Sequence, residues 1–486
     1  MNHNNKTIHF IGVGGIGMSG LAQMYKDLGF NVTGSDRGYG KSENETIFRP
    51  LENYDIKIYP QDGSFLNNIN QKFNTKSENV KVVYSSAIEN SNEDMITSLN
   101  NNLQLLHRSK ALAEAIQLKN SQNNEQKIYS IAIAGSCGKT TVSAYTAEML
   151  QLLTNKSSFL CGGIVNRFAS KASVGNYFSP AKPLYFTFEA DESDKSITNY
   201  SVDYAIILNA ENDHYSREEL ISVFTEFIKK IRCGAVIEYD LYQEFPKDIF
   251  YNIKIKTFSA TNSKADFFVA DYASLQGHYN TIITDSSNKN YEIEMITPGI
   301  HNASNISSII ALFSLLDLNL DQASKRFIEL QGAWRRFDYQ GKLKSQAKVF
   351  DDYAHNVSKL KSCLYSAREA KLTIKNKIFY IFQPHGFGPL KLMAEDLLEM
   401  LEDELTKNEH FIFLPVYYAG GTTSFTPTSK EIVKNHKTEK NISYCEDRAK
   451  VAEIIHENSN LGDVIVIAGA RDNSLAVWSK ELTENK

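Results

Sequence analysis

The stretch from Ile128 to Thr141, IYSIAIAGSCGKTT, constrains this chain more than any other. Its first half is apolar and uncharged, the composition of a strand buried on both faces of a parallel sheet. Its second half, Gly135-Ser136-Cys137-Gly138-Lys139-Thr140-Thr141, closes small residues on a lysine and two hydroxyls, and Val142 to Leu153 has helical composition. A strand that turns through glycines into a helix aims backbone N–H groups and the positive end of the helix at an anion. Lys139 adds a full charge and Thr140 a hydroxyl for Mg²⁺. Gly135, Gly138, Lys139, Thr140 and Thr141 are therefore candidate ligands of a nucleoside triphosphate. The strict pattern G-x-x-x-x-G-K-[ST] is not met, because Ile133 stands where its first glycine belongs. Taken alone, the loop competes with a glycine-rich turn carrying a solvated lysine.

A second glycine loop lies near the N-terminus. A strand is expected over Thr7 to Val13, and Gly12-Val13-Gly14-Gly15-Ile16-Gly17 satisfies G-x-G-x-x-G. A helix should follow from about Met18 to Leu28, then a strand from Phe30 to Thr33 ending in Gly34-Ser35-Asp36. An acidic residue about 20 positions beyond such glycines is the arrangement of nucleotide binding at the edge of a parallel sheet. A tight strand-to-helix turn without a ligand is the competing reading. Val80 to Tyr84 reads as another buried strand ending at Ser85, and His107-Arg108 follow a strand at Leu103 to Leu106, both ends facing the same ligand. The run KNSQNNEQK, Lys119 to Lys127, has no apolar residue and marks an exposed linker.

Beyond the phosphate loop, a strand at Pro183 to Phe188 runs into Glu189-Ala190-Asp191-Glu192-Ser193-Asp194. A strand at Val202 to Leu208 runs into Asn209-Ala210-Glu211-Asn212-Asp213-His214. Carboxylates just past parallel strand ends lie where open α/β sheets bind ligands, and beside a triphosphate they can hold Mg²⁺. For an isolated member, a helix cap or a solvated turn is the competing reading. Ala265 to Ile296 is β-rich, Pro298 to Asn305 opens an apolar helix through Leu316, and Leu320 to Glu329 is expected as a second helix. From about Ala333 a third α/β unit begins. Its strands at Lys348 to Phe350, Lys377 to Phe382, Phe411 to Val416 and Asp463 to Ala468 each end in polar residues, as in a six-stranded Rossmann-like domain.

The expected class is α/β with three domains over 1–122, 123–332 and 333–486, in keeping with a chain of 486 residues. A formal net charge of −5 with no basic stripe argues against a nucleic-acid partner. Five cysteines, odd in number and without metal-ligand spacing, fit a reducing compartment. No apolar run approaches the roughly 18 residues of a spanning helix, so no membrane insertion and a cytoplasmic location are expected.

Together and in order, IHFIGVGGIGMSGLA with GSD, VVYSSAI, GSCGKTT, EADESD, NAENDH, GIHNASN, WRRF, DDYAHN, QPH and VYYAG resemble the Mur ligases, the ATP-dependent amide-forming enzymes of peptidoglycan synthesis. The likeness covers essentially the whole chain and is strongest to the branch adding L-alanine to UDP-N-acetylmuramate, with the murein-peptide recycling branch as a near relative. It implies a Rossmann-like N-terminal domain, a central P-loop-type ATPase domain and a Rossmann-like C-terminal domain. It further implies ATP, Mg²⁺, a UDP-N-acetylmuramate-like sugar nucleotide and an amino acid or peptide as ligands, with an acyl phosphate as intermediate. By matching motif, Gly14, Gly15, Gly17, Asp36, Ser85 and Arg108 would approach the UDP-sugar. Lys139 and Thr140 would hold phosphates and metal, and Glu189 and His214 would bind metal or orient the acyl phosphate. Asn302 would contact adenine, Arg336 the phosphates and Asp352 the ribose. Tyr353, His355 and His385 would face the amine.

The departures from that pattern concern the acceptor. Ser136-Cys137 replace Thr-His, which spares a grip made by backbone N–H groups, and Asn356-Val357 replace His-Pro. Gly386 and Pro389 stand where the alanine-adding branch has arginines, and neither can pair with a carboxylate as arginine does. An altered acceptor, or one held by other residues such as Lys391, is the resulting expectation. A nicotinamide-dependent dehydrogenase would leave the Gly-Lys-Thr-Thr loop and both acidic clusters without a role. A nucleotide-binding protein of the same fold without ligase activity would leave the metal-ligand set without one.

Overall fold

The structure, a computed structural model, describes residues 6–41, 44–69, 79–122, 126–210, 215–275, 277–418 and 425–484. The chain divides into two compact units, Met1–Asp271 with Thr281–Ile293 and Ala303–Ala333, and Tyr272–Asn280 with Glu294–Asn302 and Trp334–Lys486.

The first unit opens with β1 (Thr7–Ile11), β2 (Asn31–Ser35), β3 (Lys57–Tyr59), β4 (Val80–Tyr84) and β5 (Gln104–His107), ordered β3-β2-β1-β4-β5 with every pair parallel. All five residues of β1 are buried, as its uncharged sequence demands. The strand stops at Ile11, two residues earlier than expected, because Gly12 takes φ +74° and the N–H groups of Gly12 and Val13 both turn to the Ser35 carbonyl. β1 sits between β2 and β4, so the chain leaves it toward both sides and its C-terminal end opens onto a crevice.

A second sheet starts in this unit with β6 (Tyr129–Ala134), β7 (Ser157–Leu160), β8 (Tyr177–Phe178), β9 (Tyr185–Glu189), β10 (Val202–Ile207), β11 (Ile231–Glu238) and β12 (Lys254–Ser259). It continues into β13 (Phe267–Leu275), β14 (His278–Asp285) and β15 (Asn290–Met295). Their order is β15-β14-β13-β12-β11-β10-β6-β9-β7-β8. From β12 to β7 the pairs are parallel. The two sheets are bound together by Asn176, fully buried, whose amide donates to the Ile16 carbonyl (2.6 Å) and accepts from Gln23 Nε2 (3.1 Å). The expected helix from Leu320 to Glu329 is broken into Leu320–Ser324 and a 3₁₀ turn Phe327–Glu329. Arg326, at the break, is drawn away to the Leu152 carbonyl (2.5 Å) and to both Glu329 carboxylate oxygens.

The second unit carries β16 (Asp338–Lys342), β17 (Lys348–Asp352), β18 (Ile378–Phe382), β19 (Glu409–Phe413), β20 (Ile442–Tyr444) and β21 (Val464–Ala468), ordered β16-β17-β21-β18-β19-β20. β16 is an antiparallel edge and the rest are parallel, the six strands expected. β18 and β21 are buried at every residue, and apolar helical faces such as Leu360, Leu364, Leu397 and Leu401 close over the sheet. Among the described residues no helix is long and apolar enough to cross a membrane.

Candidate active site

The phosphate loop leaves β6 between β9 and β10, the two strands that end in the acidic segments. Gly138 occupies φ +87°, a conformation costly for any residue with a Cβ, immediately before the helix Lys139–Thr154. Lys139 Nζ donates to the Gly135 carbonyl (2.6 Å) and to both oxygens of Glu192 (2.8 and 3.1 Å), with Asp191 at 3.8 Å. Burial favours the neutral lysine, but the Glu192, Asp191 and Glu189 carboxylates outweigh it and hold the ammonium above its usual range. Thr140 Oγ1 donates to Glu189 Oε2 at 3.2 Å, and the other oxygen of Glu189 accepts from Gly162 N (2.7 Å) and Cys161 Sγ (3.3 Å). A hydroxyl and a carboxylate beside a triphosphate loop form the hard, oxygen-only donor set that suits Mg²⁺, which keeps waters and phosphate oxygens as its other ligands. Among the described residues no three His, Cys, Asp or Glu side chains cluster as a metal cage. His214, together with Glu211 to Asp213, lies outside the described residues.

The loop has a support that the motifs did not announce. Asn209, one residue beyond the end of the strand expected over Val202 to Leu208, accepts from Cys137 N (2.9 Å) and donates to Cys137 O (3.1 Å), pairing with the loop as a neighbouring strand would. Asn305 Oδ1 lies 3.1 Å from where a Cβ on Gly138 would be. Glu192 and Asn209 were legible only as members of polar runs, since their lysine and backbone partners are 53 and 72 residues away.

At the first sheet, Asp36 receives Gly14 N (2.9 Å) and Gly38 N (2.8 Å), so its carboxylate shapes the glycine loop. Gly15 precedes the helix Ile16–Asp27, and a Cβ on Gly17 would meet Arg108 Nη1 at 2.6 Å, so the guanidinium lies directly against that helix start. Ser85 follows β4, and its carbonyl accepts from Ile88 N (3.0 Å) in a turn whose Ile88 side chain approaches Gly12. Gly14, Gly15, Gly17, Asp36, Ser85 and Arg108 thus gather at one edge of the sheet. His107, beside Arg108, has Nε2 3.9 Å from Asp194 of the acidic segment.

In the second unit the two neighbouring arginines have different fates. Arg335 is buried and pairs with Asp351 (3.0 Å), Gly469 O (2.6 Å) and Asp472 O (3.1 Å). Arg336 lies over the Tyr353 ring at 5.3 Å. Asp352 receives Phe337 N (2.6 Å) and Ala354 N (2.7 Å), and burial raises its pKa despite Arg336. Tyr353, His355 and His385 form a row of edge-on rings with centroids 5.5 and 5.1 Å apart. His355 Nδ1 donates to the Tyr353 carbonyl (2.8 Å), and burial, with Lys359 nearby, lowers its pKa to about 4, leaving a neutral imidazole. Asn356, in the place of histidine, caps the helix Val357–Ala370 by accepting from Lys359 N (3.0 Å). Gly386 has φ +96° and, with Pro389, opens the helix Phe387–Glu404, on which Lys391 is exposed. Asn302 Nδ2 donates to the Pro298 carbonyl (2.6 Å) at the start of the helix Ile300–Leu315.

A parallel sheet with a glycine loop at its switch point, a triphosphate loop flanked by acidic strand ends, and a third α/β sheet define a multidomain nucleotide-using enzyme. The chain belongs to the Mur ligase family. Residues 7–120 match the family's catalytic domain, 133–313 its middle domain and 335–471 its glutamate ligase domain. It is 32% identical to the UDP-N-acetylmuramate–L-alanine ligase of a Prochlorococcus marinus strain, with 96% of each chain covered. It is 29% identical to the protein of the same name from Pelagibacter ubique, over 98% of this chain and 97% of that one. Among solved structures, UDP-N-acetylmuramate-alanine ligase MurC of Thermotoga maritima shares the fold with a TM-score of 0.73 at 22% identity, over 98% of both chains. A murein peptide ligase of Psychrobacter arcticus matches with 0.63 at 19%, again over 98% of both.

Proposed function

We propose that this protein is an ATP-dependent ligase that joins an amino acid, L-alanine in the first place, to UDP-N-acetylmuramate in peptidoglycan synthesis. The observation that carries the reading is the phosphate loop itself, where Lys139 and the Thr140–Glu189 pair stand side by side in a chain with a full-length relative of that name. Residues 1–122 would serve the sugar nucleotide through Gly14, Gly15, Gly17, Asp36, Ser85 and Arg108. Residues 123–332 would serve ATP, and 333–486 would bring Arg336, Asp352 and the acceptor residues.

In the first step a carboxylate oxygen of the muramyl group attacks the γ-phosphorus of ATP, the bond to the β–γ bridging oxygen breaks, and ADP leaves. Lys139, released from Glu192, would follow the β and γ phosphates, while the Gly135 to Thr141 backbone grips them. Mg²⁺ held by Thr140, Glu189 and His214 would neutralise the crowded oxyanions. In the second step the amine nitrogen attacks the acyl carbon, a tetrahedral intermediate forms, and the carbon–oxygen bond to phosphate breaks. The proton the amine loses would pass to the departing phosphate, while the neutral imidazoles of His355 and His385, whose pKa values burial lowers, would orient the amine rather than serve as its base.

The uncharged Gly386 and Pro389 favour a second reading in which the acceptor is another amino acid or a peptide. ADP release with UDP-N-acetylmuramate should be measured over L-alanine, other amino acids and small peptides, with the product identified by mass. Turnover should require one acceptor class and vanish in Lys139→Ala. Undiminished ATP consumption in that variant would refute the role of the loop.

A further inference from the structure

β21 lies between β17 and β18, and Asp352, Ala468 and Phe382 are level at the C-terminal ends of these three parallel strands. Tyr353 and His355 leave β17, His385 leaves β18, and Arg471 leaves the strand between them. Side chains just beyond adjacent parallel strand ends line the crevice in which such sheets hold ligands. Arg471 N donates to Tyr353 OH (3.3 Å), which fixes the residue beside the first ring of the row. The turn is gripped from both sides, by Arg335 on Gly469 O and Asp472 O and by Arg448 on Asp472 Oδ2 (2.6 Å).

These bonds hold Arg471 at φ +66° with its side chain exposed. Glycine occupies that conformation more easily, so an arginine there spends backbone stability to place a guanidinium at the strand end. Its positive field and that of Lys359 reach His385 and, after burial, help to depress the pKa of that imidazole. The buried His385 Nδ1 has no hydrogen-bond partner among the described residues. Gly386 and Pro389, which open the next helix, bring no charge.

We infer that Arg471 binds the α-carboxylate of the acceptor, with Lys359 as a second cation, so that the acceptor is a free α-amino acid. A guanidinium pairs with a carboxylate through two parallel N–H···O bonds, a geometry that orients the adjacent amine as well as attracting the ligand. This rests on the ligase reading above.

The test compares L-alanine with L-alaninamide, which keeps the amine and lacks the carboxylate, in the full-length enzyme and in Arg471→Gly. Glycine relieves the backbone, so the variant should melt no lower than the parent. In Arg471→Gly the KM for L-alanine should rise at least tenfold with the KM for ATP and for UDP-N-acetylmuramate within twofold. The preference for L-alanine over its amide should largely disappear, and Arg471→Lys should restore part of it. A parent enzyme that uses amide and acid equally, or an Arg471→Gly variant with an unchanged preference, overturns the assignment of Arg471 and leaves the ligase reading standing. A parent enzyme that turns over no acceptor with UDP-N-acetylmuramate overturns the ligase reading and this inference with it.

Discussion

At the scale of single residues, Arg335 and Arg336 separate packing from chemistry. Arg335 is 1% exposed and satisfies a buried carboxylate and two carbonyls, so its removal strands Asp351 in the core. Arg335→Ala should lower stability by about 3–5 kcal/mol, the cost of breaking a buried pair from one side. Arg336→Ala should cost under about 1 kcal/mol, in line with a partly exposed side chain outside the core, while raising the KM for ATP. Urea titrations of both variants, read beside their kinetics, check this contrast. Equal destabilisation of the two would refute it. Charge and spacing in WRRF do not rank the two arginines, and only the resemblance singled out Arg336 for the phosphates. Arg335 is the buried one because its guanidinium reaches Asp351 near the end of β17 and the carbonyls of Gly469 and Asp472 just beyond β21.

At the scale of elements, the phosphate loop is held by a contact that spans the sheet. Asn209 makes two hydrogen bonds to Cys137 from the end of β10, which neighbours β6. Each such bond is worth roughly 1 kcal/mol, so Asn209→Ala should reduce stability by roughly 2 kcal/mol and loosen the grip on the triphosphate. The expected kinetic sign is a higher KM for ATP with the KM for the sugar nucleotide unchanged, since the glycine loop belongs to a different sheet. An unchanged KM for ATP would refute the clamp. The loop's departures from its strict pattern have the same explanation. Ile133 sits in the buried strand, paired with Ile206 and Glu189, rather than in the turn. Cys137 contributes its backbone N–H and carbonyl to the Asn209 pair, a role that any residue other than proline could fill at this position.

At the scale of the whole molecule, burial lowers the pKa of His9, His107, His355, His385 and His410, with His355 reaching about 4. The unfolded chain therefore binds more protons than the folded one below the ordinary histidine range of about 6.5. The histidines' share of the stability should be level above that pH and fall as the pH drops from about 6.5 toward 5, opposed in part by Asp351, whose carboxyl burial raises to about 7 so that it takes up its proton in the folded state over the same window. Urea midpoints at pH 7.5, 6.5 and 5.5 test this, and a midpoint that rises on acidification would contradict it. His9 shows why such groups are buried neutral: it lies between Thr33 (2.9 Å) and Ser35 (3.2 Å) under the sheet, stacked on Phe65.

Strand and helix periodicity, the two glycine loops and the polar runs at strand ends were enough to specify an α/β chain, its order of nucleotide and acidic segments, and most candidate residues. These are local properties, set by burial of apolar strands and by which residues tolerate a tight turn. What only the tertiary structure decided is which strand ends are neighbours. The order β10-β6-β9 brings Asn209 and Glu189 to the two sides of one lysine loop, and β17-β21-β18 brings Arg471 to the strand ends that carry Tyr353, His355 and His385. Strand order follows from long-range hydrogen-bonded pairing, and no local periodicity encodes the partner a strand will meet dozens or a hundred residues away.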